Sequence, residues 1–312
     1  MSNRLSNKKL AIIFIVLSVA VALIYFSEGA GERSFRTELV DIDTSSVSEI
    51  LINPRGAKED KIKLTKQGEN WKILLPSGEQ VNSPKSKIDN LFKTIVNIKP
   101  NRLAARGQEK WQEFEVDSAA TRVRVFESGK VTLDLMIGRF AFQQPRTMNT
   151  YVRLYNDNDV YEVEGFLSAI FNQSVNNYRN TEIIKSDEEL WSSLNFSYPA
   201  DSSYVLTQLN GRWFAADELT DSSAAVNYLR SISRLSNSNF VDKFDKSILN
   251  SPEYKLTIQM HDSNKITVTG FVKDSLLLIN SSENPESYFD GNKDGLAKKI
   301  FIGMKNLVNN HP

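Results

Sequence analysis

Histidine and clustered acids are the residues with which a chain of this kind could do chemistry. The sequence has 312 residues, two histidines and no cysteine. His311 falls in the last residues. His261 follows Tyr254, Leu256, Ile258 and Met260 and is expected to face solvent. A serine triad would have to use His261, and no G-x-S-x-G elbow accompanies it. No HExxH and no G-x-x-x-x-G-K-[ST] occurs, so neither zinc hydrolysis nor P-loop nucleotide hydrolysis is expected. Asp290-Gly291-Asn292-Lys293-Asp294-Gly295 matches the first half of a calcium loop. Its twelfth position is Phe301 where a bidentate Glu is needed, so the stretch reads as a turn before a helix. The acids Glu113, Glu115 and Asp117, and the run Asp187-Glu188-Glu189, supply carboxylate pairs that read as helix or turn starters. Spacing alone does not bring two carboxylates together. Ser186 with Glu189 has the pattern of a capping box ahead of Leu190 and Trp191. No catalytic residue, cofactor or metal ligand is therefore assigned.

The elements that would have to position such groups are organised as a duplication. Ile62, Leu64 and Trp71 match Tyr204, Leu206 and Trp213 at an offset of 142. Each set reads as a β-hairpin turning on polar residues with a glycine. A helical face of Ile88, Leu91, Phe92, Ile95 and Ile98 then matches Ala225, Tyr228, Leu229, Ile232 and Leu235 at an offset of 137. Ser83 before Pro84 is the expected N-cap of the first helix, and Thr220 with Asp221 that of the second. Alternating strands at Thr121, Val123 and Val125 match Leu256, Ile258 and Met260 at an offset of 135, and Ser128 to Val131 match Ser263 to Ile266. Val160-Tyr161 with Leu167, Ile170 and Phe171 resembles Ser287-Tyr288 with Leu296, Ile300 and Phe301. The expected fold class is α+β: two similar modules, each an antiparallel sheet covered by one main helix. Trp71 and Trp213 are expected to anchor the cores.

The modules are preceded by a 17-residue run without charge, from Leu10 to Phe26. That is long enough for an uncleaved transmembrane helix. Arg4, Lys8 and Lys9 before it place the N-terminus in the cytoplasm and the rest of the chain outside. The expected organisation is a cytoplasmic tail (1–9), a transmembrane helix (10–26), a stalk (27–46), a first module (47–171), a linker (172–180), a second module (181–303) and a tail (304–312). Lysine plus arginine and aspartate plus glutamate are equal at 38 each, so nothing marks a nucleic-acid binder.

An apolar N-terminus precedes a hairpin ending in Trp71-Lys72-Ile73, the helix near Ser83–Ile98, then Leu133-Asp134-Leu135-Met136-Ile137-Gly138. Tyr151-Val152-Arg153, Val160-Tyr161 and Tyr178-Arg179-Asn180-Thr181 follow. This series resembles the bacterial family called domain of unknown function 4340 (DUF4340), over nearly the whole part after the anchor. Gly138 has no clear counterpart in the second copy. The resemblance implies a single-pass protein of the inner membrane with its bulk in the periplasm, linked to ABC transporters of the gliding-motility type. It carries over no catalytic residues. The leading expectation is a non-enzymatic accessory protein or scaffold that binds other envelope proteins. The alternative is an envelope hydrolase whose acids, such as Glu113 or Asp157, converge in a cleft between modules. A third reading, solute capture, needs an apolar pocket with convergent polar groups.

Overall fold

The structure, a computed structural model, describes residues 14–19, 21, 36–56, 61–143 and 147–308. Most of the Leu10 to Phe26 run lies outside the described residues; residues 14–19 and 21 are helical and exposed. Among the described residues no helix is long and apolar enough to cross a membrane.

Two antiparallel sheets form the body. The first has β1 (Val47–Asn53), β2 (Ile62–Gln67), β3 (Asn70–Leu74), β4 (Gln80–Ser83), β5 (Pro100–Ala105), β6 (Thr121–Glu127), β7 (Lys130–Gln143), β8 (Thr147–Leu154) and β9 (Val160–Glu164), in the order β4-β3-β2-β1-β6-β7-β8-β9-β5. The second has β10 (Trp191–Ser197), β11 (Tyr204–Leu209), β12 (Arg212–Ala215), β13 (Glu218–Leu219), β14 (Tyr254–Met260), β15 (Lys265–Lys273), β16 (Leu276–Ser281) and β17 (Asn284–Asp290), in the order β13-β12-β11-β10-β14-β15-β16-β17. The two orders are identical once β5 is removed, which supports the duplication.

The local rules are visible in each hairpin. Gly68 at φ 61° opens the two-residue turn between β2 and β3, as a type II′ turn requires. Asn210 and Gly211 both take positive φ between β11 and β12, as type I′ requires. Helix α1 (Lys85–Val96) buries Ile88, Leu91 and Ile95 against the first sheet, and Phe92 meets the Trp71 ring edge-on at 5.7 Å. Helix α2 (Ser222–Ile232) buries Ala225, Tyr228, Leu229 and Ile232. Each large apolar side chain so buried contributes about 1.5–3 kcal/mol.

The copies agree in a detail the sequence did not disclose. β1 carries a bulge between Val47 and Glu49 where it pairs with β6, and β10 carries one between Trp191 and Ser193 where it pairs with β14. At each bulge a serine hydroxyl donates to the partner strand: Ser48 to the Phe126 carbonyl at 3.2 Å, and Ser192 to the Gln259 carbonyl at 3.1 Å. The extra residue loses a ladder partner, and its side chain replaces the missing bond.

Several expectations need correction. Ile50 pairs with Val125, and Leu194 with Ile258, so β6 and β14 match at an offset of 133 rather than 135. A two-residue slip keeps every side chain on its face, so alternation alone could not detect it. Tyr161 corresponds to Phe289, each opposite the matching residue of β8 or β16. Ser83 is the last residue of β4 and caps nothing; its hydroxyl donates to the Tyr178 carbonyl at 2.7 Å. Pro84 takes the N-cap position of α1, whereas Asp221 caps α2 by accepting from the Ala224 N–H at 2.7 Å. Ser186 and Glu189 form no capping box: Ser186 accepts the Trp191 indole N–H at 3.0 Å, and Trp191 begins β10. Leu39 and Val40, in the expected stalk, are buried in the first core, and Leu307 is buried in the second.

Each sheet is also covered in part on the face opposite its helix. In the first module the segment from β5 to the short helix Trp111–Phe114 folds under the sheet and buries Phe114 and Val116 against Met136, Tyr151 and Val160. Arg102 of β5 forms an ion pair with buried Glu162 of β9, which holds this added strand. Gly138 is the contact point: a Cβ there would stand 2.2 Å from the Phe114 carbonyl oxygen. In the second module Phe271 packs with Ile248 and Leu278 on the corresponding face.

Candidate functional site

The junction between the modules joins charged side chains from distant parts of the chain. It is built on residues 176–180. Tyr178 belongs to the first core, with its hydroxyl donating to the Ile170 carbonyl at 2.5 Å. Burial raises the Tyr178 pKa. The next residue turns the other way. Arg179 is fully buried, its guanidinium lies 3.7 Å over the Phe240 ring, and it pairs with Asp242 at 2.9 Å. Desolvation lowers the Arg179 pKa and Asp242 opposes that shift.

Around this joint the edge strand β4 of one sheet faces the edge strand β17 of the other. The Asn82 N–H donates to a Glu286 carboxylate oxygen at 2.6 Å, and the other oxygen pairs with Lys72. Asn180 donates its N–H to the Asn82 carbonyl at 3.3 Å and accepts the Asn284 side-chain amide at 2.7 Å. Lys246 pairs with Glu79 at 2.9 Å, and that bond raises the Lys246 pKa. The edges are thus covered by side chains from the partner module. A cavity of 380 Å³ remains, lined by Glu79, Asp242, Phe244, Lys246, Glu286 and Tyr288 among others. Its three carboxylates each have a cation: Lys246, Arg179 and Lys72.

The acids considered for catalysis lie elsewhere and do not converge. Glu113 pairs with Lys110 at 3.0 Å on the surface, Glu115 with Arg55, and Asp117 accepts the Ala119 N–H at 3.0 Å. Asp157 accepts the Tyr161 hydroxyl at 3.2 Å within the first module; burial, then Asp157 and Asp159, push that tyrosine up to about 12. Neither Glu113 nor Asp157 lines the cavity between the modules. Asp187 is held ionised by Arg234 at 2.7 Å, which lowers its pKa. Asp290 accepts the Asn292 N–H, Asp294 accepts the Asn239 amide at 2.6 Å, and Phe301 packs edge-on to Tyr198 and tilted against Tyr254. His261 is exposed. Among the described residues no group of three or more His, Cys, Asp or Glu could hold a metal ion.

Two further features escaped the sequence. Tyr198 and Tyr204 both donate to the Ile302 carbonyl, at 3.0 and 2.8 Å, and Tyr228 donates to the Ile300 carbonyl at 2.7 Å. They satisfy carbonyls left open where the short helix Leu296–Ile300 ends. Burial raises all three phenols, which suits fixed donors rather than proton-transfer groups. The second module also has a groove of 510 Å³ beside α2, with Trp213, Leu229 and Val226 below Arg212 and Arg230. Its Glu188 stands 3.6 Å from Arg230.

Fold and junction together define a class: a two-module α+β protein made of one duplicated antiparallel sheet. The model of the family "Domain of unknown function (DUF4340)" matches residues 71–257, from β3 of the first copy into β14 of the second, and the chain belongs to that family. No curated protein and no solved structure matches it.

Proposed function

We propose that this chain is a membrane-tethered accessory protein or scaffold that holds two sheet modules on the extracytoplasmic side of the inner membrane and binds other envelope proteins there. The observation that carries this reading is the neutralised junction. Where a hydrolase between modules would keep free carboxylates, Glu79 and Glu286 are each engaged by a cation of the other module, and Asp242 by Arg179 of the linker. Such pairs orient the modules. Surfaces are then what the protein offers. The anchor is the run Leu10 to Phe26, with the N-terminus cytoplasmic, and it would raise the effective concentration of the modules for membrane partners. An ABC transporter of gliding-motility type is the partner that the family resemblance implies.

The test is crosslinking in intact cells followed by mass spectrometry. Enrichment of transporter subunits over an unrelated single-span control supports the reading. Recovery of the chain alone would refute the partnership.

A further inference from the structure

The cavity at the junction has an unbalanced lining. Its charged walls are three carboxylates, Glu79, Asp242 and Glu286, and one ammonium, Lys246. The cations that pair with Asp242 and Glu286 are Arg179 and Lys72, and neither lines the cavity. Asp242 and Glu286 are still 28% and 31% exposed. Phe244 and Tyr288 form an aromatic wall, with ring centroids 4.8 Å apart, and Val241 and Leu249 also line the cavity. Its 380 Å³ falls within the range of ligand sites, about 300–1,000 Å³. Lys246 differs from the other two cations. Its side chain is 77% exposed, and it reaches Glu79, itself 50% exposed, through one oxygen. The other Glu79 oxygen has no partner among the described residues. An ion pair so open to water is weakly held. Without it the joint keeps the Arg179–Asp242 pair and the bonds of Glu286 and Asn180.

We propose that Lys246 is a built-in stand-in, and that the cavity takes the lysine or arginine side chain of a partner protein in its place. This names the chemistry by which the proposed scaffold engages a partner, and it rests on that reading. Three carboxylates complement one added cation. The aliphatic stem of such a side chain packs on Val241 and Leu249 while its charged head stays at the wet rim by Glu79. Aromatic walls also attract cations. A neutral apolar side chain gains only the packing, and an anion meets the wrong sign.

The test uses the full-length protein in detergent micelles and capped pentapeptides, Gly-Ala-X-Ala-Gly, carrying a neutral dye and read by fluorescence polarisation. Peptides with lysine or arginine at X should bind, and those with norleucine or glutamate should not. Lys246→Ala should tighten the lysine peptide by up to about fivefold, the scale of an exposed ion pair. Adding Glu79→Gln should reverse that gain. Spin labels at Lys93 and Asn227 should report the same distance in Lys246→Ala as in the unaltered chain. A changed distance makes Lys246 part of the joint and overturns the stand-in. Equal binding of the lysine and norleucine peptides overturns the proposal. Lysine binding that ignores both substitutions lies elsewhere and overturns it too, as does weaker binding in Lys246→Ala. Binding of spermidine without binding of any peptide assigns the cavity to small amines and overturns the partner. Each of these failures leaves the scaffold reading to its own test, the crosslinking in intact cells.

Discussion

The two modules differ where they are free to and agree where their cores require it. Both keep the same strand order, the same tryptophan on the third strand, the same helix above it and the same serine-bridged bulge. The first adds β5, the segment folded beneath its sheet, and the longer β7–β8 arm. The second has a short turn there, fills the face with Phe271 and Ile248, and keeps an open groove beside its helix. The shared part is the minimum that buries the helix against the sheet. The additions lie towards the β7–β9 end of the first sheet, where a loop can lengthen at small entropic cost. The comparison therefore separates scaffold from surface: what repeats is structural, and what does not repeat is where the two copies can have acquired separate tasks.

Substitutions can break or sharpen that comparison. Trp71→Ala and Trp213→Ala should each cost about 3–5 kcal/mol, because each removes a buried ring between helix and sheet. Urea denaturation of the two variants should give similar losses assigned to different modules. A loss in only one would mean that the tryptophans are not equivalent.

Arg179→Ala comes next. It strands Asp242 at the junction and removes the stack on Phe240, at a cost of about 3 kcal/mol, the lower end for a broken buried pair because Asp242 is partly exposed. It should also split one denaturation transition into two. A single transition at reduced midpoint would show that the modules stay coupled without Arg179.

Gly138→Ala should cost about 1–3 kcal/mol, since the added methyl meets the Phe114 carbonyl oxygen and the Val116 side chain. The expected readout is faster amide exchange in residues 108–117, with exchange in the second sheet unchanged. The smallest effects belong to Ser48→Ala and Ser192→Ala, about 0.5–1.5 kcal/mol each. They should be equal and additive in the double variant, because the bulges lie in separate sheets.

Much of the fold was legible in the sequence, and the failures have physical causes. Trp71, Trp213 and the spaced apolar residues of both helices carry their period in the chain, so the duplication could be read. β10 was missed because Trp191-Ser192-Ser193-Leu194 follows a capping-like serine and lacks β-branched residues. β5 carries no local signal in the sequence, because its partner, β9, lies some 60 residues away, as the Arg102–Glu162 pair shows. Glu113 and Asp157 drew notice as acids, but which carboxylates meet is decided by tertiary packing. The junction was the least legible feature: Arg179 was visible only as part of a motif, and nothing local links it to Phe240 or Asp242.

The central claim is that two copies of one module form a single jointed body whose junction charges are structural. Spin labels at Lys93 and Asn227, exposed positions on the two helices, test it directly through the distance distribution between them. The account predicts one narrow distribution in the full-length protein, broadened by Arg179→Ala. A broad or multiple distribution in the unaltered junction, insensitive to Arg179→Ala, would contradict it.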